Sequence, residues 1–300
     1  MNVVVNGLPY FSRKLVADLQ GFAPQHRFRF YDTYNSKIEQ VKFAWAIRKA
    51  DVLISINGVS DRSGSMDLAL KMNKKIWFNW VGTDVLLAVE RFKNSSIFRD
   101  YIDRAVHSTD APWLQAELKT AQIEAKIVHS KWLDIQSNAS DFPRLQVYSY
   151  VAANREDFYG WNTIQQLALA NPEIPFIIAG SDGTKLNSIP PNVQFKGWLT
   201  TQEMTELRNT SPIFIRLAEH DGFSLSVLEA LAAGCEVIWK YPFENCHHLK
   251  DIEVDFSKVV NLVKERNFTP NKENIAYIAK NFQKEVILNN FIQELEKIVG

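Results

Sequence analysis

The stretch that decides the fold is "HDGFSLSVLEALAAGCEVIWKYP", residues 220–242. It predicts a polar loop, then a helix that begins near Ser224, then a strand. The helix is apolar almost all round, which is typical of a buried helix, yet it carries one charged residue, Glu229. Because burying an unpaired carboxylate is costly, we expect Glu229 to have a partner. That partner is either a protein cation in a structural salt bridge or a bound ligand.

The beginning of this helix is suited to an anion. Gly222 allows a ligand to approach the backbone closely, and the free N–H groups and the helix dipole favour negative charge. Ser224 and Ser226 add hydroxyl donors. At about 1.5 Å per residue, Glu229 lies roughly 7–8 Å along the axis from Ser224. A nucleotide could therefore place its diphosphate at the helix start and its ribose hydroxyls at Glu229.

Composition limits the classes of function. The chain has 300 residues, enough for two domains, and its 34 basic residues equal its 34 acidic ones, which argues against an electrostatic nucleic-acid binder. Its two cysteines, Cys235 and Cys246, lack metal-ligand spacing. The start of the sequence lacks a signal-peptide pattern, and no apolar run approaches the roughly 18 residues of a membrane span. We expect a reduced, cytoplasmic protein.

Short apolar strands alternate with helices along both halves of the chain, which predicts parallel sheets covered by helices. The predicted strands lie at 2–5, 27–32, 51–56, 75–80, 104–108 and 125–129, then at 146–151, 175–180, 193–197, 212–217 and 236–240. The predicted helices lie at 12–20, 66–72, about 160–171, 202–209, 224–233, and from about 255 onward. Two such halves predict two Rossmann-like domains that face a central cleft, the default site for a ligand.

We place the domain boundary in the polar, proline-containing stretch "SNASDFPR" (137–144), which is typical of a linker. The N-terminal domain then spans 1–136 and the C-terminal domain spans 137–282. The last helix, about 283–300, is expected to pack back on the N-terminal domain.

Residues 220–238, "HDGFSLSVLEALAAGCEVI", resemble the donor-site signature of retaining GT-B glycosyltransferases of glycosyltransferase family four. That signature has two acidic residues separated by seven, here Asp221 and Glu229. The resemblance implies a GT-B fold and transfer of a sugar from a nucleotide-diphosphate donor to a glycan or lipid-linked acceptor, with no cofactor and no metal. It places Asp221 near the donor sugar and Glu229 on the ribose. The backbone along the diphosphate would be that of Gly222, Phe223, Ser224, Leu225 and Ser226.

The resemblance covers most of the chain. Residues 147–183 are similar to the beginning of the family's C-terminal domain, and 193–217 to the segment that lines the base. Gly180, in the loop "AGSDG" (179–183) after a strand, is expected to approach the donor. Trp198 is expected either to stack on the base or to be an ordinary aromatic residue of the core or surface. In the N-terminal half, "WFNWVGTDVL" (77–86) resembles the family's strand followed by His-Trp-x-Gly-Thr-Asp. This similarity places Gly82 and Asp84 near the sugar.

The sequence departs from the family where two cations normally neutralise the diphosphate. The pattern Gly-Arg is "AN" at 153–154, and Lys-Gly is "YG" at 159–160. Arg155, one residue along, and Arg216, at the end of its strand, are the candidates to replace them; solvated charge at the cleft edge is the alternative. Tyr159 can donate a hydrogen bond but brings no charge. We predict Asp221, Arg155 and Asp84 at the reaction centre.

Two other functions stay open: a catalytically silent partner subunit, because both cations are displaced, and another nucleotide-sugar enzyme such as an epimerase. The expected partners are a nucleotide sugar and a glycan or lipid-linked acceptor, and not a nucleic acid. The lysine-rich segment "KMNKKIW" (71–77) offers a peripheral contact with the inner face of an anionic membrane, with a solvated helix end as the alternative. The sequence does not indicate an oligomeric state.

Overall fold

The computed structural model describes residues 1–134, 140–248 and 251–300. They form two compact units, one of Met1–Trp132 with Lys284–Gly300 and one of Leu133–Gln283. The boundary predicted between residues 136 and 137 lies outside the described residues.

The N-terminal unit is built on one parallel sheet with the strand order β2-β1-β3-β4-β5-β6. Its strands are β1 (Asn2–Gly7), β2 (Arg27–Phe30), β3 (Val52–Ile56), β4 (Lys75–Trp80), β5 (Val106–Thr109) and β6 (Lys126–Ile127). Its helices are α1 (Pro9–Phe22), α2 (Lys37–Ala46), which continues into a 3-10 turn at Ile47–Lys49, α3 (Gly64–Lys71), α4 (Thr83–Lys93), α5 (Arg99–Arg104), α6 (Pro112–Thr120) and α12 (Lys284–Val299).

The core of this unit surrounds β3, whose five residues are all buried because helices cover both faces of the sheet. The C-terminal helix α12 completes this core, since the ring of Phe291 stacks on Trp77 of β4 at 4.5 Å. Gly7 has a φ of 107°, and a Cβ there would lie 2.2 Å from the carbonyl oxygen of Ile56. Only glycine therefore fits this close approach of β1 to β3.

The C-terminal unit is built on a second parallel sheet with the order β12-β11-β10-β7-β8-β9. Its strands are β7 (Val147–Tyr150), β8 (Phe176–Ala179), β9 (Val193–Phe195), β10 (Ile213–Arg216), β11 (Glu236–Trp239) and β12 (Cys246–His248). Its helices are α7 (Trp161–Ala170), α8 (Thr201–Thr210), α9 (Leu225–Ala232), α10 (Ile252–Glu265) and α11 (Lys272–Asn281).

The two parallel sheets with their helices confirm the predicted α/β class and its Rossmann-like halves. The sequence did not predict β12, which pairs in parallel with β11 but has neither an apolar run nor the usual length of a strand. In the described ranges, no helix is both long and apolar enough to cross a membrane.

Candidate functional site

The carboxyl ends of three strands in the C-terminal unit bring two predicted site residues, Gly180 and Arg216, together with Tyr150. Tyr150 ends β7, Gly180 follows β8, and Arg216 ends β10. Gly180 has a φ of 97°, and a Cβ there would lie 2.7 Å from both the Tyr150 ring and the Val151 carbonyl oxygen. The glycine is therefore required for packing at this edge, which is the edge where open α/β sheets bind ligands.

Arg216 and Asp221 form a two-bond ion pair at this edge. Nε of Arg216 lies 2.7 Å from Oδ2 of Asp221, and Nη2 lies 3.0 Å from Oδ1. Only 11% and 12% of the two side chains is exposed. Burial alone would lower the pKa of Arg216, but the hydrogen bonds and charge of Asp221 raise it. Arg216 therefore stays charged, and its planar guanidinium fixes the orientation of the Asp221 carboxylate.

A second contact of Asp221 fixes its backbone, because its N–H donates to the hydroxyl of Tyr241 at 3.1 Å. The loop is anchored below by Phe223, which is 1% exposed and packs its ring against Trp239, Phe243 and Phe282. The side chain of Phe223 therefore belongs to the core, and a donor contact at this position would come from its backbone.

Aromatic rings link Arg216 to the remaining predicted residues. Its guanidinium lies 5.2 Å from the ring centre of Tyr159, and Arg155 stacks over Phe158 at 4.1 Å. Tyr159 meets Tyr150 edge-on at 5.6 Å. These distances are typical of cation–π and aromatic pairs.

The same chain of ring contacts reaches Trp198, whose ring lies edge-on to Tyr150 at 6.5 Å and is 80% exposed. Separate stretches of sequence thus contribute to one connected cluster of Arg155, Tyr159, Trp198, Arg216 and Asp221. Tyr150, which links several of them, was not predicted as a site residue, although it ends a predicted strand.

The beginning of α9 keeps its first amides free of a side-chain cap. Ser224 is the N-cap residue, but its hydroxyl makes no capping bond and instead lies 2.9 Å from the hydroxyl of Ser226. The first N–H groups of a helix need a partner from a cap, water or a ligand. Gly222 and Leu225, on either side of the start, are half-buried. This geometry suits an anion.

Glu229 has a protein partner, Arg208 on α8, with Nη1 and Oε2 2.8 Å apart. The expectation of a buried carboxylate was wrong, because 39% of the Glu229 side chain is exposed, against 14% for Arg208. The apolar residues of α9 face the core while Glu229 lies on the open side. Its carboxylate is therefore oriented by a cation and still reachable by a ligand. Nothing in the sequence distinguished Arg208 from other polar helix residues.

Two further cations lie near the same edge and were not predicted. Nζ of Lys185 donates to Oδ1 of Asn154 at 2.5 Å, at the position where the family pattern has its arginine. Nζ of Lys240, just after β11, donates to the carbonyl of Glu219 at 2.8 Å. Lys240 is the last residue of a predicted strand (236–240), and Lys185 lies in the segment after another (175–180); this position is the signal that would have identified them.

In the N-terminal unit, Asp84 joins the loops that follow β3 and β4. Its side chain is buried and accepts hydrogen bonds from the backbone N–H groups of Gly58 (2.6 Å), Gly82 (2.8 Å) and Val81 (3.2 Å). Burial raises the pKa of Asp84, and these hydrogen bonds oppose that rise. Gly82 has φ 155° and ψ −101°, which side-chain-bearing residues avoid. Asp84 therefore has a structural role, because it holds these two loops together. Its catalytic role stays a prediction.

Replacing Asp84 with asparagine is expected to lower the free energy of unfolding by about 2 kcal/mol, because an amide NH₂ would face backbone donors. Urea unfolding, followed by circular dichroism, measures the change. The matched control is Asp100→Asn at an exposed position in the first turn of α5, which we expect to change stability by less than about 0.5 kcal/mol. Equal effects of the two changes would contradict the structural role of Asp84.

The N-terminal unit also has a cavity of about 460 Å³ at the carboxyl ends of β2 and β3. Hydroxyl and amide groups line it, and the Asn6 amide donates to the hydroxyls of Thr33 and Ser65, each at 3.3 Å. The lining includes Thr33, Tyr34, Gln40, Ser63 and Ser65. This cavity was not predicted from the sequence, although Thr33 and Tyr34 directly follow the predicted strand 27–32.

The lysine-rich segment 71–77 has a structural explanation. Nζ of Lys74 donates to the carbonyls of Arg48 and Ala50, both at 2.9 Å, and Nζ of Lys75 donates to the carbonyl of Val299 at 2.6 Å. These contacts bind the ammonium groups of Lys74 and Lys75 to backbone acceptors at the ends of helices, which gives both lysines a structural role while they keep their charge.

Comparisons with known proteins rest on structure, since no profile of a protein family and no curated sequence matches the chain. The chain is similar to sucrose-phosphate synthase from Thermosynechococcus elongatus, with a TM-score of 0.69, 11% identity and 99% of each chain covered. It is also similar to an α-glucosyltransferase solved with UDP and a 13-mer DNA containing an HMU base, with a TM-score of 0.63, 12% identity, and 100% and 99% covered.

A third similar structure is the pneumococcal O-GlcNAc transferase GtfA in complex with UDP and GlcNAc, with a TM-score of 0.61 and 15% identity. The alignment covers 87% of this chain, which spans 60% of that transferase. At such identities the likeness shows the fold and not the activity. The chain therefore has the two-unit, Rossmann-like GT-B fold found in these glycosyltransferases.

Proposed function

We propose that this protein is a retaining, metal-independent glycosyltransferase that moves a sugar from a nucleotide-diphosphate donor to a glycan or lipid-linked acceptor. The observation that carries the proposal is the pair of oriented carboxylates along α9. Asp221, held by Arg216, precedes the helix, and Glu229, held by Arg208, lies just over one turn into it. Between them lies a helix start without a side-chain cap. The fold shared with transferases solved with UDP supports this assignment.

The donor would lie along this helix. Its diphosphate would accept hydrogen bonds from the N–H groups of residues 222–226 and from the hydroxyls of Ser224 and Ser226. The ribose hydroxyls would donate to the exposed carboxylate of Glu229. Arg208 contacts one carboxylate oxygen of Glu229, Oε2, and makes no short contact with the other. Hydrogen bonds to a charged acceptor are stronger than those between neutral groups.

The base would meet the aromatic end of the cluster. Trp198 presents an exposed ring, and Tyr150 supports it edge-on. Aromatic faces bind planar bases by stacking. Tyr159, between this pair and Arg216, brings a phenol where the family has a lysine.

The reaction breaks the bond between the anomeric carbon and the diphosphate oxygen, so negative charge develops on the leaving phosphate. The dipole of α9 stabilises that charge, assisted by Arg155. Lys185 and Lys240 supply further positive potential at the same edge. In a front-side substitution the acceptor hydroxyl attacks from the side of the leaving group and gives its proton to the phosphate. Asp221 positions the sugar, and Arg216 positions Asp221.

The acceptor would use the N-terminal unit. The cavity of about 460 Å³ beside Asn6 is lined by hydroxyl and amide groups, which pair well with sugar hydroxyls. A polar lining of this kind supports a sugar-bearing acceptor.

Replacing Glu229 with alanine is expected to weaken binding of the matching nucleoside diphosphate by about tenfold or more, since the ribose loses a charged acceptor. Calorimetry with UDP, GDP and ADP identifies the base and measures this change. The matched control is Glu206→Ala, an exposed glutamate on α8, which should bind like the wild type. Arg208→Ala separates loss of the ribose contact from loss of orientation, and it should weaken binding less than Glu229→Ala.

Absence of nucleotide binding by the wild-type chain would refute the proposed function. Binding without turnover would instead favour a silent partner subunit, which the missing family cations at 154 and 159 make the second candidate. Turnover of the donor without any acceptor would favour an epimerase.

A further inference from the structure

The outward face of α2 is apolar, which is unusual for a helix on the surface of a globular unit. Ile38, Val41 and Trp45 are 69%, 61% and 69% exposed. At about 100° per residue these three side chains lie within an arc of about 60°. The opposite face supplies the buried Phe43, and the 3-10 turn that follows supplies the buried Ile47. The helix is therefore anchored by one apolar face and presents a second one to solvent.

Cations flank this exposed stripe on both sides. Lys42 and Lys49 border one side, and Lys37 and Arg48 border the other. The guanidinium of Arg48 lies 5.7 Å from the ring of Trp45. The acidic residue of the helix, Glu39, pairs with Lys42 at 2.8 Å. The outer face of α2 thus combines an apolar stripe with a positive rim.

A cavity of about 690 Å³ lies beside the stripe and shares Lys42, Trp45 and Lys49 with it. Arg27 and Arg29 of the edge strand β2 line its other wall, and alternate positions of a strand point to one face. In the described part of the chain, Arg27, Arg29 and Lys49 have no ion-pair partner, and no acidic residue lines the cavity. Its chemistry is that of an anion site.

We propose that the α2 surface, meaning Ile38, Val41 and Trp45 with Arg27, Arg29, Lys42 and Lys49, docks on an anionic phospholipid bilayer. The stripe would enter the boundary between headgroups and acyl chains, and the cavity would receive a lipid phosphate. Interfacial helices bind through buried apolar area together with attraction of Lys and Arg to anionic lipids.

Charge complementarity selects this occupant. A second copy of the chain would bring two positive rims together, and a nucleic acid would pair the cations but leave the aliphatic part of the stripe in water. A free phosphate would fill the cavity and leave the stripe exposed. The formal net charge of the chain is zero, so the attraction comes from this surface and not from the whole protein.

The test is sedimentation of the full chain with vesicles of phosphatidylcholine mixed with phosphatidylglycerol, and with vesicles of phosphatidylcholine alone. We expect binding to the mixed vesicles that weakens as salt is raised, and much weaker binding to the neutral ones. Equal binding to both would overturn the proposal, as would no binding to either. Inorganic phosphate at matched ionic strength should not release the protein; complete release would indicate a soluble-anion site instead.

Two double variants localise the surface. Val41→Ser with Trp45→Ser, and Arg29→Glu with Lys49→Glu, should each lower the partition coefficient on mixed vesicles by about tenfold or more. The matched controls lie on the other unit: Leu169→Ser with Val254→Ser, 61% and 50% exposed, and Lys264→Glu with Lys272→Glu. Controls that bind as weakly as the test variants would contradict the location.

Circular dichroism verifies that each variant is folded, and ultracentrifugation without lipid detects self-association through this face. If the wild type forms a dimer and the α2 variants are monomeric, the partner of this surface is a second copy of the chain and not a bilayer. The α2 variants should bind nucleoside diphosphates as the wild type does, so vesicle binding and the proposed function can fail independently.

Discussion

Arg216→Ala is expected to lower kcat for sugar transfer by about 10²–10³-fold, if the chain is the transferase that we propose. Arg216 makes both short contacts to the carboxylate of Asp221, at 2.7 and 3.0 Å. Without the guanidinium, Asp221 keeps its backbone contact but loses the orientation that places its oxygens at the sugar. A misplacement of about 1 Å at a reacting centre can cost about a hundredfold in rate.

The same change affects stability, and the experiment must separate the two effects. Both side chains are nearly buried, and removing one partner of such a pair costs about 3–5 kcal/mol because the other charge is left without compensation. The double variant Arg216→Ala with Asp221→Asn removes both charges. We expect it to recover much of the lost stability while transfer stays low.

Arg216→Lys is the matched control for charge, since lysine keeps the positive charge but cannot make the two parallel bonds. We expect its kcat to lie between those of the wild type and Arg216→Ala, with donor binding close to that of the wild type. Steady-state kinetics and calorimetry together separate kcat from binding. An unchanged kcat in a folded Arg216→Ala variant would remove Arg216 from the reaction centre, and so would recovery of transfer in the double variant.

The fold was predictable because its elements differ in composition and period. A predominantly apolar run such as "DVLISI" (51–56) indicates a strand of a parallel sheet before any tertiary contact is known. The strand β12 was missed because its three residues carry no such pattern. Its position depends on pairing with β11 and on the contacts of Glu236, which only the folded unit brings together.

The individual carboxylates of the candidate site were predictable from the sequence, but the side chains that contact them were not. Asp221 and Glu229 were found on one predicted helix and its loop, since their spacing is local. Their partners are set by tertiary structure: Arg208 comes from the preceding helix, and the two-bond geometry at Arg216 depends on how the loop turns after β10. The same applies to Asp84, whose donor at Gly58 lies in the loop after β3 and gives it a structural role that the sequence did not reveal.

The expected burial of Glu229 was wrong for a related reason. The apolar content of α9 is high, but a helix that packs against a sheet on one side and α11 on another can still leave a narrow face open. Glu229 lies on that face. Composition therefore predicted a buried helix correctly for Val227, Leu228 and Leu231 and incorrectly for the one residue that bears charge.

Glu236→Gln is expected to lower the free energy of unfolding of the C-terminal unit by about 3 kcal/mol at neutral pH. The carboxylate, 3% exposed, accepts hydrogen bonds from Nε2 of His247 at 2.6 Å and Nδ2 of Asn271 at 2.9 Å, and it pairs with Arg266. Burial alone would raise the pKa of Glu236, but these hydrogen bonds and the charge of Arg266 lower it from 4.5 to about 2. The amide of glutamine would face the same donors without a negative charge.

This low pKa also fixes the direction of the pH dependence. Between pH 4.5 and about 2 the unfolded chain binds a proton at Glu236 that the folded unit does not, so the stabilisation is complete above this window and is lost as pH falls through it. The difference in stability between wild type and Glu236→Gln should therefore shrink on acidification.

Urea unfolding read by hydrogen exchange of peptides that span β11 reports on this unit alone. Glu265→Gln, an exposed change next to Arg266, is the control and should follow the wild type at every pH. A gap between wild type and Glu236→Gln that stayed constant across the window would show that packing, and not the carboxylate charge, holds this cluster together.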